Sequence, residues 1–301
     1  MREMIARFTL ELKIGQQIKN GELRKKIIEP HWRVPRGYDL SVIEGANCTM
    51  ELLEAECKNP NMVILQLHGG GYIGGMRNAY RNFAVAYAKA ASGSSVLTPD
   101  YRLAPEHPFP AALEDAVYAY QWLLLQGWDA RQITVAGDSA GGGLALALVH
   151  YLKDHKQEVP GGLVVMSPWT DMTASGVSYE ENYRRDPLFG NSMDTMLQNR
   201  DYAGTEREDH PYLSPLFGDL RDFPPMLIQV GGYEMLLSDS EQLAVRVKES
   251  GGKVHLSVYP GMFHVFQMAM GMLPESKRAW TEIQSFLRAL LHYHMKQLGN
   301  V

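Results

Sequence analysis

Cysteine is nearly absent from this 301-residue chain: only Cys48 and Cys57 occur. That scarcity excludes a disulfide-stapled scaffold and leaves two reduced, partly buried thiols as the simplest reading. Charge of one sign is also scarce, since the formal net charge of −5 is spread over mixed signs. Nucleic acid is therefore not expected as a partner, and anionic membranes exert no attraction. Residues 1–26 mix Glu3, Glu11 and Glu22 with basic residues and have no uninterrupted apolar core. They read neither as a secretion signal nor as a spanning helix, so a cytoplasmic location without stable membrane insertion is expected. Internal repeats and low-complexity tracts are missing too.

What is present is a soluble globular composition, 45% hydrophobic and 21% charged, sufficient for a large core. Ile5, Phe8, Leu12 and Ile18 recur at helical spacing and suggest an amphipathic helix, best used as a lid over the protein's own cleft. Residues 38–43 and 49–57 read as a hairpin joined through Gly45-Ala46-Asn47. Beyond them, short apolar runs alternate with amphipathic stretches. Strands are expected at 62–67, 95–98, 133–136, 163–166, 226–230 and 254–259. Helices are expected at 80–91, 111–126, 238–249 and about 275–295, with a further one following Ser139. The alternation predicts an α/β fold with a mostly parallel sheet covered on both faces. Between 175 and about 219 charges cluster (Glu180, Glu181, Arg184, Arg185, Asp186) and no strand is expected, which marks an insertion.

The chemistry centres on Gly137-Asp138-Ser139-Ala140-Gly141, placed between a β-branched run and a helical one. A serine on such a strand-to-helix turn is exposed at the sheet's end in a strained backbone that only small neighbours permit. Serine is a poor nucleophile alone and requires a base, a group to orient that base, and donors for the developing oxyanion. Of ten histidines, nine lie on helices, in a strand, in Pro-containing loops or at the glycine run. His264 alone stands in a loop past the last strand. For the acid, the loop after Val230 offers Glu234 and Asp239. Ser238 with Glu241 forms a capping-box pattern that would assign Asp239 to a helix start, so Glu234 is preferred. The run His68-Gly69-Gly70-Gly71 lacks the downstream Gly-Lys-Ser/Thr of a phosphate loop and no acid-bearing G-x-G-x-x-G accompanies it. Its glycines instead let amides approach a reacting carbonyl, with the amide of Ala140 completing the hole, while His68 holds the loop.

Four segments in order resemble the hormone-sensitive-lipase-like esterases of the α/β-hydrolases. They are His68-Gly69-Gly70-Gly71, the stretch from Asp100-Tyr101-Arg102 through Pro110-Ala111-Ala112, Gly137 to Gly142, and Ser167-Pro168-Trp169-Thr170-Asp171. The resemblance covers most of the chain from about Val63. It implies an α/β-hydrolase catalytic domain over 37–301 and a discontinuous helical cap from 1–36 and 175–212. It places the oxyanion hole at Gly70, Gly71 and Ala140, the nucleophile at Ser139, the base at His264 and the acid at Glu234, where aspartate is commoner. Tyr72, Trp169, Tyr183 and Leu188 become pocket candidates, with ordinary packing as their alternative. The implied activity is hydrolysis of short-to-medium acyl esters, small molecules, without metal or organic cofactor. Amide or formamide hydrolysis at the same site, a non-catalytic ligand-binding member of the fold and a lipase acting at an oil surface are the competing readings. Homodimerisation through the strand at 254–259 is a further expectation.

Overall fold

The computed structural model describes residues 29–190 and 200–297. The segment expected to form the amphipathic N-terminal helix, with Ile5, Phe8, Leu12 and Ile18, lies outside them, as do residues 191–199 of the insertion. The first described residues rest on helix α1 (Asn78–Ala90). Glu29 accepts the Asn78 amide at 2.6 Å and the Trp32 indole donates to Asn82 at 3.0 Å.

Alternation of branched strands and amphipathic helices yields one 8-stranded sheet in the order β1-β2-β4-β3-β5-β6-β7-β8. The strands are β1 (Tyr38–Glu44), β2 (Thr49–Ala55), β3 (Val63–Leu67), β4 (Ser95–Pro99), β5 (Ile133–Asp138), β6 (Gly162–Met166), β7 (Met226–Gly231) and β8 (Val254–Tyr259). The expected hairpin is present: β1 and β2 pair antiparallel from Tyr38↔Ala55 to Glu44↔Thr49. β2 joins β4 antiparallel, and from β4 to β8 every pairing is parallel. Parallel order requires crossovers, supplied by α1, α2 (Ala111–Leu125), α3 (Ala140–Asp154) and α5 (Leu237–Glu249), with α6 (Pro274–Gln297) closing the chain.

Strands β3 to β7 are buried on both faces, so successive residues enter different cores. Val63, Leu65, Ile133, Val135, Leu163, Val165 and Ile228 pack with α2, α3 and α5 through Leu123, Leu148 and Val247. Ile64, Val96, Ala136, Val164 and Leu227 face the opposite way, onto Phe83 and Tyr87 of α1 and Ile283 and Leu287 of α6. Leu148 is wholly buried, and truncation to alanine there would cost about 2–5 kcal/mol. One consequence positions the site: parallel strands deliver their carboxyl ends, and the loops that follow, to one edge of the sheet.

Two expectations are corrected. The capping box at Ser238 does not form, because α5 begins at Leu237 with Leu236 as its N-cap. The Ser238 hydroxyl instead accepts the Ser178 amide, and Ser178 returns the bond, each at 2.8 Å. Cys57 is exposed rather than partly buried, whereas Cys48 is half-buried, and both are free thiols. Among the described residues of 175–212, the single helix is the one-turn α4 (Ser178–Glu181). β8 lies at the sheet edge, as the homodimer expectation requires. Among the described residues no helix is long and apolar enough to cross a membrane.

Candidate active site

Ser139 follows β5 directly and precedes α3, with φ 54° and ψ −123°. A non-glycine residue occupies this region only when its surroundings over-determine it. The surroundings here are main chain. A Cβ on Gly137 would stand 2.3 Å from the Gly141 carbonyl oxygen, and one on Gly141 would stand 2.1 Å from that of Leu67. The Ser139 amide donates to Met166 at 2.9 Å, and its carbonyl accepts from Trp169 at 2.9 Å and Gly143 at 3.1 Å. Ala140 opens α3, so its amide has no intrahelical acceptor and the helix's positive end faces the turn.

β3 is the neighbour of β5, which brings the glycine run beside the elbow. The Gly69 amide donates to Asp138 at 3.2 Å. Gly70, Gly71 and Tyr72 then all take positive φ, 114°, 63° and 62°. The Gly70 carbonyl is turned back to accept Gly74 at 2.8 Å and Ile73 at 3.2 Å. The amides of Gly70 and Gly71 take no partner among the described residues, as donors awaiting an anion would. His68 is buried and stacked on Tyr101 with centroids 4.1 Å apart. Its Nδ1 lies 2.8 Å from the Gly69 carbonyl, an acceptor only, so Nδ1 carries the proton. Burial lowers its pKa, so it holds the loop as a neutral ring.

His264 and Glu234 meet across the ends of β7 and β8: Nδ1 lies 2.8 Å from Glu234 Oε2. The carboxylate fixes Nδ1 as donor and leaves Nε2 as the acceptor of a neutral ring. Glu234 folds back on its own strand end, where Oε1 accepts the Gly231 amide and the Ser167 hydroxyl, the latter at 2.7 Å. Ser167 Oγ in turn accepts the Val265 amide at 3.1 Å, linking the acid and histidine loops. Burial alone would lower the pKa of His264, but the Glu234 bond and the charges of Glu234, Asp186 and Asp138 raise it. Asp239 makes no such pairing. Its carboxylate accepts the amides of Thr170 at 2.7 Å and Asp171 at 3.0 Å. Burial pushes Asp239 and Asp138 each up to about 7.

A family profile described as the alpha/beta hydrolase fold matches residues 64–268. The chain belongs to the α/β-hydrolase family. It is 36% identical over 288 residues to an acetyl-hydrolase of Streptomyces hygroscopicus, covering 89% of this chain and 95% of that one. Among solved structures it resembles EstE5, a crystal soaked with p-nitrophenyl butyrate, at 33% identity and a TM-score of 0.85, over 97% of this chain and 99% of that chain. An esterase from the bacterial hormone-sensitive lipase family matches at 35% identity and a TM-score of 0.80, over 93% and 98%. These likenesses place the hydrolase in the hormone-sensitive-lipase-like esterase branch.

In this hydrolase the four pocket candidates are mostly built into packing. Tyr72 stacks on Tyr202 with centroids 3.7 Å apart and stands 6.2 Å from the Trp169 ring. Tyr72, Trp169 and Leu188 are buried in the α2/α3/α5 core, with Tyr183 half-buried against it. Sequence reasoning missed Ser167, Asn182, Asp186 and Phe189, whose partners lie far along the chain. The Phe189 ring sets its edge against His264, centroids 4.7 Å apart. A polar residue directly after a strand aimed at the site was the one available signal, and it pointed to Ser167. Among the described residues, no group of three or more His, Cys, Asp or Glu side chains is arranged to hold a metal ion.

Proposed function

We propose that this hydrolase cleaves carboxylic esters through a Ser139-His264-Glu234 triad and an acyl-enzyme. The observation that carries the reading is the buried 2.8 Å bond between His264 Nδ1 and Glu234, two strands from a serine held in the strained elbow conformation. In the first half-reaction Nε2 of His264 takes the Ser139 proton while Oγ attacks the ester carbonyl, and Glu234 steadies the resulting imidazolium. The amides of Gly70, Gly71 and Ala140 receive the oxyanion. The imidazolium then protonates the leaving alkoxide as the carbonyl re-forms. Water, deprotonated by the same nitrogen, attacks the acyl-enzyme; collapse releases the acid and returns the proton to Ser139.

Short-to-medium acyl chains fit best, since the stacked Tyr72 and Tyr202 fill space beside the nucleophile helix. The name of the acetyl-hydrolase relative points the same way. Residues 1–36 and 175–212 are assigned as the cap. A rate series over p-nitrophenyl esters of increasing chain length tests both activity and preference. Ser139→Ala should abolish hydrolysis while leaving the thermal transition in place; full activity in that variant would sink the reading.

A further inference from the structure

Within the charged run that marks the insertion, Glu180 to Asp186, Asp186 is only 2% exposed. Its Oδ1 accepts the amides of Leu188 at 2.8 Å and Phe189 at 3.1 Å. Its Oδ2 accepts the amide of Met235, the residue after Glu234, at 2.8 Å. Asn182 makes a second tie, donating to the carbonyls of Glu234 at 2.9 Å and Gly232 at 3.3 Å. Phe189, whose amide Asp186 holds, lays its ring edge on His264 with planes at 65°. The insertion thus grips the Glu234–His264 pair at three points, and Asp186 takes part in two of them.

Three main-chain donors and no acceptor suit the ionised carboxylate, which offers lone pairs only. The charged groups acting on His264 come from three elements: Glu234 after β7, Asp138 at the end of β5, and Asp186 in the insertion. We propose that Asp186 is a positioning residue: its carboxylate fastens the insertion to the loop carrying Glu234 and adds a further negative charge near the imidazole that Glu234 orients. The inference rests on the reading of His264 as the base. It makes the insertion part of the catalytic electrostatics, so a shift of residues 182–190 away from the β7 loop withdraws charge from the imidazolium as well as contact.

The test uses the full chain, with NMR titration of the His264 imidazole and the pH profile of kcat/KM on p-nitrophenyl acetate. Asp186→Asn keeps an oxygen for the Leu188 and Phe189 amides but turns an NH₂ toward Met235, losing one bond and the charge. The expected result is a fall of the His264 midpoint, and of the acid limb with it, by on the order of half a pH unit. kcat should drop about tenfold with KM nearly unchanged, as for a misplaced catalytic group. Asp186→Glu, which restores the charge, should return the midpoint toward that of the parent. Asn182→Ala removes the other tie without a charge and should lower kcat while leaving the midpoint in place. If Asp186→Asn lowers the melting temperature but moves neither midpoint nor acid limb, the residue is purely structural and the proposal is overturned. Should Asp186→Asn not fold, Asp186→Ser, whose hydroxyl still accepts a capping amide, carries the same comparison. The NMR midpoint is read without substrate, so an inactive parent chain would defeat the esterase reading while the titration still decides the role of Asp186.

Discussion

Around Ser139 the restraint is steric and belongs to the main chain, whereas around His264 it is a set of side-chain hydrogen bonds drawn from separate segments. The elbow is closed by glycines whose missing Cβ atoms would collide with carbonyl oxygens of the elbow itself and of β3. The histidine is held by Glu234, which is held by Ser167 after β6 and, through its loop, by Asn182 and Asp186 of the insertion. Steric restraint of this kind has no intermediate settings. Hydrogen-bonded restraint weakens one partner at a time, so the two halves of the site should respond to substitution in different ways.

The sharpest contrast is at Gly141. A methyl group there would stand 2.1 Å from the Leu67 oxygen and 2.5 Å from that of His68, both fixed in backbone. Gly141→Ala should cost at least about 3 kcal/mol in urea unfolding, or yield no folded protein. A variant within the error of the parent would mean that the elbow has slack and that the contrast is misdrawn. On the other side, Glu234→Ala should leave a folded protein whose kcat falls by about 10²–10⁴, because His264 loses both its orienting acceptor and the counter-charge for its imidazolium. Ser167→Ala is the graded case. It keeps the Glu234–His264 bond, strands the Val265 amide and should cost about 1–3 kcal/mol with roughly a tenfold loss of turnover. Equal turnover losses for Ser167→Ala and Glu234→Ala would show that the network acts as a single unit.

The same contrast explains what could be read from the sequence. The strands and the elbow announce themselves locally, through branched runs, glycine spacing and a change of period from two to three or four, and the structure returns them at nearly the same bounds. Glu234 and His264 were legible because each follows a strand whose carboxyl end the parallel topology fixes. Ser167, Asn182 and Asp186 gave little local sign. Their partners stand 67, 52 and 49 residues away, and in a run dense in Glu and Arg nothing separates a buried aspartate from a solvated one. The capping box at Ser238 failed for the same reason: the pattern is local, but Ser178, sixty residues earlier, claims the hydroxyl.

Asp239 supplies the smallest effect and the cleanest control, since it was the competing acid. Its carboxyl is raised to about 7 by burial, with the neighbouring Asp171 adding to the rise. A carboxyl with a folded pKa above its unfolded value binds protons more tightly in the folded state. Its contribution to stability is present below the ordinary 3.8 and is lost as pH rises through about 7. His264, raised above 6.5, follows the same sign: its contribution is present below 6.5 and is lost above the folded value. With His264 as the proposed base, turnover requires the neutral ring, so kcat/KM should rise over the pH range in which this part of the stability declines. Asp239→Asn keeps an oxygen for the Thr170 and Asp171 amides and removes one of the groups titrating in this range, leaving Asp138 and His264. It should flatten the decline in melting temperature between pH 5 and pH 8 while leaving kcat within about threefold and the acid limb of kcat/KM unmoved. A displaced acid limb in Asp239→Asn would instead tie that carboxyl to His264 and reopen the choice of acid.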